Sequence, residues 1–300
     1  MKIAYFDCSS GISGDMCLGA LVDAGVPVKK LENELRKLRV KGYKLISKKV
    51  KRAGFRATKI NVQQSAASRL GRLAGESSQR SAKKWKDVER IIRTSSLSEE
   101  IKQKGLSIFR KLFTAEAKVH GETFNTAHLH ELGAVDCIVD IMGTVICLEL
   151  LGIDKIYASP INLGSGIVKT KHGILPVPAP ATAEILRDMP IYSDGTPFEL
   201  TTPTGAVILK ELSSGFGNMP DMFIEKIGTG AGNKDIKGKP NVLKVFVGQQ
   251  SAISHQPSAV TVIETTIDDM NPQIYEYVME RLFKAGALDV YLTQLIMKKG

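Results

Sequence analysis

The first part of the chain alternates between strand-like and helix-like patterns of hydrophobic positions. An apolar run from Lys2 to Cys8 is typical of a buried strand, and helical spacing follows from Met16 to Ala24. A second helix is predicted from Pro27 to about Leu38, because proline is favoured in the first turn. Residues 43–63 alternate between apolar and polar side chains on both sides of Gly54, which predicts two strands. This mixture of strands and helices indicates an α/β fold.

A stretch without periodicity separates this region from a series of helical patterns. Residues 65–84 are rich in small and charged side chains, and we predict a mobile loop there. Helices are predicted from Trp85 to Arg93 and from Ser98 to Val119, the second with a polar start. A further helix is predicted from about Val135 to Gly152, and the segment from Ile156 to Leu163 has the pattern of a strand.

The C-terminal residues are predicted to form a second unit. Residues 251–258 have the composition of a linker. Residues 259–300 contain a predicted strand, helix and strand: Val260–Ile267, Asn271–Ala285 and Leu288–Ile296. Two strands and one helix bury little core by themselves, so this unit looks truncated. We therefore predict an α/β protein with a mixed-sheet main domain and flanking helices at residues 1–250, followed by the start of a small α+β, ferredoxin-like unit.

Composition narrows the class of protein. The chain has 300 residues, 43% of them hydrophobic, which is enough for a sizeable core. No apolar run reaches the length of a membrane span, and Asp7 lies within the first apolar stretch, unlike the pattern of a signal peptide. Four cysteines without Cys-x-x-Cys spacing favour buried thiols over disulfides or a zinc knuckle. We expect a cytoplasmic protein that has no membrane partner.

The net charge of +10 is concentrated in residues 29–56 and 69–93. No nucleic-acid module is present and aromatic side chains are sparse in these stretches, so we expect no nucleic-acid partner. A small phosphorylated, anionic ligand would be attracted by the same charge. For any individual lysine, the alternative is that it belongs to a solvated basic surface and binds no ligand.

The densest group of polar residues begins at His128 with the sequence His-Leu-His-Glu-Leu-Gly-Ala-Val-Asp. In an extended stretch His128 and His130 project to the same side, where both can bind one metal ion. Asp136 and Asp140 are one helical turn apart and share a face. Imidazole suits nickel, zinc, copper and iron, and carboxylates such as Glu131 complete or orient the ligand shell. The alternative is structural, since capping and the helix dipole also account for Glu131 and Asp136.

The loop after the first strand is a further candidate site. It ends in Ser13 and Gly14 before a predicted helix, so its backbone N–H groups can bind a phosphate or a carboxylate. Asp7 and Asp15 flank the loop and can hold a divalent ion. The glycine spacing matches neither the dinucleotide-binding fingerprint nor the P-loop.

Two later loops carry the remaining candidates. Lys169, Lys171 and His172 can bind phosphate or a metal-bound substrate, or they can form an ordinary surface loop. Thr202 and Thr204 place hydroxyl groups at a helix start, which suits either capping or anion binding.

Five motifs resemble the LarC-type nickel insertion proteins, and the resemblance covers essentially the whole chain. The motifs lie at residues 5–16, 128–136, 173–182, 202–206 and 264–272. The resemblance implies a nickel chelatase that inserts nickel into pyridinium-3,5-bisthiocarboxylic acid mononucleotide and consumes CTP, with Mg²⁺ or Mn²⁺. Its product would be the nickel-pincer cofactor of lactate racemase and related enzymes.

The resemblance also implies partners and roles. The partners would be the small anionic mononucleotide, the apo lactate racemase or a related nickel-pincer enzyme, and further copies of the chain if the C-terminal domain is present. A nickel–carbon bond forms only when a ring proton is lost, and we propose Glu131 or His172 as the base. Asp268 and Asp269 are expected in the nucleotide-binding part.

Two features depart from the family pattern. Many members have a histidine-rich stretch in the loop corresponding to residues 65–84, which this chain lacks, so nickel storage by that loop is not expected. Members usually continue into a longer C-terminal domain associated with CTP binding and oligomerisation. A short product of frameshifting, a fragment and a degenerate copy all remain open.

Two other functions remain open. A nickel-binding carrier or assembly subunit would present the metal to a separate nucleotide-binding partner and would not consume CTP. A phosphatase-like or nucleotidyl-transfer enzyme would use Asp7 and Asp15 with magnesium and would need no nickel.

Overall fold

The computed structural model describes residues 1–64, 84–129, 134–170, 172–251, 262–267 and 269–294. The chain divides into two compact units, Met1–Ser254 and His255–Gly300. The predicted mobile loop at 65–84 lies outside the described residues except for Lys84, and the predicted linker at 251–258 does so except for Ser251.

A seven-stranded sheet forms the centre of the first unit. Its strands are β1 (Lys2–Asp7), β2 (Tyr43–Arg52), β3 (Phe55–Gln64), β4 (Lys155–Ala158), β9 (Ser213–Phe216), β10 (Met222–Ala231) and β11 (Val242–Gln250). Their order is β2-β3-β10-β11-β1-β4-β9. The pairs β1/β4, β4/β9 and β3/β10 are parallel, and the pairs β2/β3, β10/β11 and β1/β11 are antiparallel. The predicted mixed sheet of an α/β protein is confirmed.

Two small sheets and a set of helices are the other regular elements of the described residues. β5 (Ile161–Asn162) pairs in parallel with β8 (Ile191–Tyr192), and β6 (Ile167–Thr170) forms an antiparallel hairpin with β7 (Gly173–Pro176). The helices are α1 (Gly14–Asp23), α2 (Val28–Arg36), α3 (Trp85–Arg93), α4 (Glu99–His120), α5 (Ala134–Leu151), α6 (Pro180–Ile185), α7 (Pro203–Leu212) and α8 (Ile274–Lys284). In the described ranges, none of these helices is long and apolar enough to cross a membrane.

Local sequence signals explain where the predicted helices begin and end. Helix α4 follows Ser98, whose hydroxyl accepts a hydrogen bond from Ile101 N at 3.4 Å. It ends at Gly121, which has a φ of 64° and so adopts the left-handed conformation that glycine tolerates best. The helical predictions for α1 to α5 are confirmed to within a few residues at each end.

The strand predicted from Ile156 to Leu163 is divided between two sheets. Pro160 lies at the division and has no backbone N–H to donate. Before it, Ser159 N donates to Phe6 O, and after it Ile161 N donates to Pro190 O. The chain therefore leaves the large sheet at the end of β4 and joins the small sheet as β5.

Helix α1 lies very close to strand β10 because two glycines face it. A Cβ on Gly228 would overlap the carbonyl oxygen of Ala20, and a Cβ on Gly230 would overlap that of Met16. The β1 side chain Phe6 is fully buried in the same core. This close packing fixes α1 on the sheet and thereby sets the position of its N-terminus.

Helix α5 is largely buried. It packs against α1, α2, α4 and α7. Ile138, Met142 and Ile146 are fully buried, as expected for a helix that is apolar on nearly all sides. Two carboxylates, Asp136 and Asp140, interrupt this apolar surface near the N-terminal end.

The C-terminal unit contains α8 in its described part, close to the predicted helix at Asn271–Ala285. The two strand predictions in this unit are wrong where the structure describes them, because residues 262–267 and 288–294 have no regular secondary structure. Neither segment has a neighbouring strand among the described residues, and a strand needs one to pair its backbone N–H and C=O groups. Apolar side chains such as Ile263 consequently remain exposed.

Candidate functional site

The loop after β1 brings the N-terminal ends of α1 and α7 together. Ile12 N donates to Leu200 O, and Thr202 N donates to Ile12 O, both at 3.0 Å. Gly11 has a φ of 76°, and a Cβ there would overlap the carbonyl oxygen of Leu200. A Cβ on Gly205 would overlap the carbonyl oxygen of Ile12. Glycine on both sides therefore allows two helix starts to lie side by side.

Asp140 of α5 packs directly against the first residue of α1. A Cβ on Gly14 would lie 2.5 Å from Asp140 Oδ2 and 2.6 Å from Asp140 Cβ. Only glycine leaves room for this carboxyl group at position 14. The sequence placed Asp136 and Asp140 near the start of their own helix, α5. The structure adds that Asp140 also contacts the start of a second helix, α1.

The Asp140 carboxyl group is buried among other carboxylates. Burial raises its pKa well above the ordinary range, and the negative charges of Asp15 and Asp136 raise it further, while Lys59 opposes them. Within the described part of the chain, Asp140 Oδ1 is buried and has no hydrogen-bond partner. A buried acceptor without a partner is costly, so this oxygen is suited to binding a proton or a cation.

Lys59 compensates part of this negative charge from strand β3. Its ammonium group forms an ion pair with Asp15, and only 6% of the Lys59 side chain is exposed. Asp15 also accepts a hydrogen bond from the hydroxyl of Ser13. The predicted anion-binding turn at Ser13 and Gly14 thus adjoins a group of three carboxylates with one buried cation beside it.

Two thiols lie beside Asp140. Burial raises the pKa of Cys137, and the charges of Asp140, Glu116 and Asp136 raise it further, whereas a hydrogen bond from the Thr204 hydroxyl lowers it. Burial also raises the pKa of Cys17, with contributions from Cys8, Asp140 and Asp15. Sequence reasoning treated these cysteines as buried apolar residues and did not place them beside the carboxylates. Thr204, a predicted anion-binding residue, is buried and its hydroxyl is hydrogen-bonded to the Cys137 thiol.

All four cysteines are buried, and burial raises the pKa of each thiol. Because the thiolate is the reactive form, we expect iodoacetamide at neutral pH to alkylate none of them in the folded chain and all of them in denaturant. Intact-mass spectrometry counts the added groups. Rapid alkylation of Cys137 in the folded chain would contradict the closed packing around Asp140.

A second polar cluster joins the end of α4 to the β6–β7 hairpin. Glu116 Oε2 lies 3.5 Å from His120 Nε2, and the Glu116 side chain is 4% exposed. The rings of His120 and His172 have centroids 4.9 Å apart and planes inclined by 40°. Sequence reasoning named His172 but missed His120 and Glu116. Their spacing of one helical turn on a predicted helix is the signal that identifies them.

The predicted pair of metal-binding histidines is described only at its first member. His128 Nδ1 lies 3.8 Å from Glu122 Oε2. The backbones of His128 and Lys84 form an isolated antiparallel β-bridge. His130 and Glu131 lie outside the described residues, so the pairing of the two histidines remains a prediction. Among the residues that the structure describes, no group of three or more His, Cys, Asp or Glu side chains has metal-binding geometry.

Asp7 and Asp15 have separate partners. Asp7 Oδ1 accepts from Ser9 N at 3.1 Å, and Asp7 Oδ2 lies 3.9 Å from Lys244 Nζ. Asp15 is bonded to Ser13 and Lys59 instead. Their joint binding of a divalent ion remains a prediction.

The other predicted residues are dispersed. Thr202 Oγ1 accepts a hydrogen bond from Gly205 N at 3.3 Å and so caps α7. Of the two roles predicted for Thr202, capping and anion binding, this contact is the capping one. Lys169 is an exposed residue of β6, and Asp269 is exposed in the C-terminal unit. Lys171 and Asp268 lie outside the described residues.

Comparison with known proteins identifies the family. The nickel insertion protein family matches residues 4–300. A protein of Geobacillus kaustophilus is 48% identical over 308 residues, which cover 100% of this chain and 74% of that protein. A protein of Clostridium kluyveri is 46% identical over 301 residues, which cover 100% of this chain and 75% of that protein.

Both relatives are named pyridinium-3,5-bisthiocarboxylic acid mononucleotide nickel insertion protein. No solved structure matches the chain. Because the family match extends from residue 4 to residue 300, the chain belongs to the nickel insertion protein family.

Proposed function

We propose that this chain inserts nickel into pyridinium-3,5-bisthiocarboxylic acid mononucleotide and consumes CTP, bound with Mg²⁺ or Mn²⁺. The observation that carries the proposal is the similarity of the whole chain to relatives named for nickel insertion into this mononucleotide. In this proposal the product serves lactate racemase or a related nickel-pincer enzyme. A cytoplasmic location and homo-oligomer formation belong to the same proposal.

The carboxylate cluster supports a role in holding the incoming metal. Asp140 has a buried oxygen without a hydrogen-bond partner among the described residues, and Asp136 and Asp15 add negative charge around it. Lys59 compensates only part of this negative charge, and a divalent cation would offset more of it. We propose Asp136 and Asp140, together with His128 and His130, as the nickel ligands of the insertion step.

The adjoining helix starts support binding of the anionic substrate. The substrate carries a phosphate and two thiocarboxylates, and helix N-termini bind such groups through their backbone N–H donors. Ser13 and Gly14 begin α1, while Thr202 and Thr204 begin α7 beside it. The net charge of +10 adds a general attraction for an anion.

The insertion step also requires a base. Nickel–carbon bond formation releases one ring proton, which a side chain near the metal must accept. We propose His172, which contacts the His120 ring, or Glu131 for this role. Replacing the base with a residue that cannot accept a proton should leave nickel bound but prevent product formation.

One assay tests the proposed function. The purified chain is mixed with nickel, CTP, Mg²⁺ or Mn²⁺ and the bisthiocarboxylate mononucleotide, and both the nickel-pincer product and the loss of CTP are followed. We expect product formation that stops when either nickel or CTP is omitted.

The other outcomes identify the alternatives. Bound nickel without product or CTP loss would contradict insertase activity and indicate a nickel carrier. Hydrolysis with magnesium in the absence of nickel would indicate a phosphatase-like or nucleotidyl-transfer enzyme.

A further inference from the structure

Strand β2 forms one edge of the seven-stranded sheet, and it is long and regular. Its ten residues pair with β3 without a register shift, and no further strand lies beside it among the described residues. Natural edge strands are commonly protected by being short, by β-bulges, by proline or by charged side chains. Strand β2 contains neither a bulge nor a proline. Of these devices it has only the charged side chains.

The turn between β2 and β3 determines which backbone groups of β2 point outward. Ala53 and Gly54 have φ angles of 44° and 85°, as in a type I′ turn. Such a turn is closed by a hydrogen-bonded pair, here Arg52 and Phe55, and hydrogen-bonded pairs alternate along an antiparallel ladder. The even-numbered residues of β2 therefore bond to β3. The odd-numbered residues direct their N–H and C=O groups away from it: Tyr43, Leu45, Ser47, Lys49 and Lys51.

These outward backbone groups can pair with a further strand. Within the described ranges, the one contact they make is that of Lys51 O, which accepts a hydrogen bond from Arg52 Nη1 at 3.1 Å. Ser47 and Lys49 are exposed at the middle of the edge. An extended peptide that lies along β2 would therefore find both donors and acceptors at the spacing of a β-ladder.

The β2–β3 hairpin is strongly cationic. Residues 43–64 contain seven lysine and arginine residues and no aspartate or glutamate. Lys44 and Lys48 share one face of β2, and Lys51 lies on the other, because side chains alternate along a strand. All three are exposed and form no ion pair with any residue that the structure describes. Unpaired positive charge therefore lines both faces of the edge.

Lysines on an edge strand have an ordinary explanation, since they oppose pairing with another strand. This protection is selective, however, because it depends on the charge of the incoming strand. A second copy of β2 would bring like charges opposite one another and be repelled, whereas an acidic strand would place opposite charges there. The edge thus disfavours association with its own copies and favours one class of partner.

We propose that β2 binds an extended acidic segment of a partner protein by strand addition. Backbone hydrogen bonds to the outward groups fix the segment along the edge. Its carboxylates lie beside Lys44 and Lys48 on one face and beside Lys51 on the other. The proposal concerns an interaction surface and does not depend on nickel insertion.

Binding of an acidic peptide to the full chain tests the proposal. The probe is a fluorescent eight-residue peptide in which valine or threonine alternates with glutamate or aspartate, and fluorescence anisotropy at low ionic strength measures its affinity. The same peptide methylated at every backbone nitrogen keeps its charge but has no N–H donors. We expect the unmodified peptide to bind about tenfold more tightly, or better, than the methylated one.

Two variants of β2 separate backbone pairing from charge. Ser47→Pro removes one outward donor but keeps the hydrogen bonds to β3, and it should weaken peptide binding about tenfold. Lys44→Gln combined with Lys48→Gln should weaken it about fivefold and reduce its dependence on salt. The matched control, Lys86→Gln combined with Lys155→Gln, removes two exposed lysines elsewhere and should leave the affinity nearly unchanged.

The remaining outcomes overturn the proposal. Equal affinity for the methylated and unmodified peptides, or unchanged binding to a folded Ser47→Pro variant, would show attraction by charge alone. Absence of peptide binding to the wild-type chain at low ionic strength would show that the edge is only protected. Tighter binding of a short single-stranded RNA than of the acidic peptide would indicate a nucleic-acid surface instead. If circular dichroism shows that Ser47→Pro does not fold, the comparison of the two peptides on the wild-type chain decides.

Discussion

Replacing Asp140 with asparagine is expected to stop nickel insertion and also to raise the stability of the metal-free chain. Asparagine has nearly the same shape and fits against Gly14, but it carries no charge to be repelled by Asp15 and Asp136. Its amide can also donate a hydrogen bond to a neighbouring carboxylate, which the ionised Asp140 side chain cannot do. We expect the free energy of unfolding to rise by about 1–3 kcal/mol at pH values where the wild-type Asp140 is ionised, the usual cost of an unsatisfied buried group.

The stability gain should depend on pH in a defined direction. The pKa of Asp140 is raised in the folded chain, so the folded state holds this proton more tightly than the unfolded state does. The resulting stabilisation of the wild type is fully present below the ordinary aspartate pKa of about 3.9 and is lost as pH rises through the raised value. The advantage of Asp140→Asn should therefore grow with pH. Urea unfolding at several pH values, with a chelator present, measures it.

The activity of this variant should fall by roughly 100-fold or more, since even outer partners of metal ligands contribute 10- to 100-fold. Asp154→Asn is a suitable control, because Asp154 is exposed and accepts a hydrogen bond from Lys2 N at 2.7 Å. It should not change the rate of nickel insertion. If Asp140→Asn were active and no more stable than the wild type at alkaline pH, the role assigned to Asp140 would be wrong.

Replacing Lys59 with methionine should cause a large loss of stability. The Lys59 side chain is 6% exposed and pairs with Asp15, which lies beside Asp140. Methionine fills much of the same space but leaves the buried carboxylates without their cation. Removal of one partner from a buried ion pair costs about 3–5 kcal/mol, and chemical denaturation at neutral pH measures this change.

The chain offers a matched control for this substitution. Lys49 of β2 pairs with Asp23 at the other end of α1, but its side chain is 52% exposed. Lys49→Met should therefore cost only about 0–1 kcal/mol. Adding Asp140→Asn to Lys59→Met should recover part of the lost stability, since it removes one of the charges that Lys59 compensates. Equal effects of the two lysine substitutions would show that the site around Asp140 is not a low-dielectric environment.

Helix positions could be predicted from the sequence because their signals are local. The spacing of apolar residues in α5 and the start at Ser98 and stop at Gly121 of α4 involve residues within a few positions of one another. The apolar and polar alternation around Gly54 likewise identified β2 and β3. The same local reasoning predicted strands at 260–267 and 288–296, where it was wrong over the described residues because a strand also needs a neighbour.

By itself, then, the sequence determined the α/β class, the helices α1 to α5 and the presence of carboxylates near the start of α5. Only the tertiary structure decided that Asp140 contacts Gly14, that Lys59 pairs with Asp15, and that His120 lies beside His172. These contacts join residues from different elements, and their energies depend on burial and on charges brought together by packing. A local pattern contains neither quantity, because both arise only when α1, α4 and α5 pack beside the sheet.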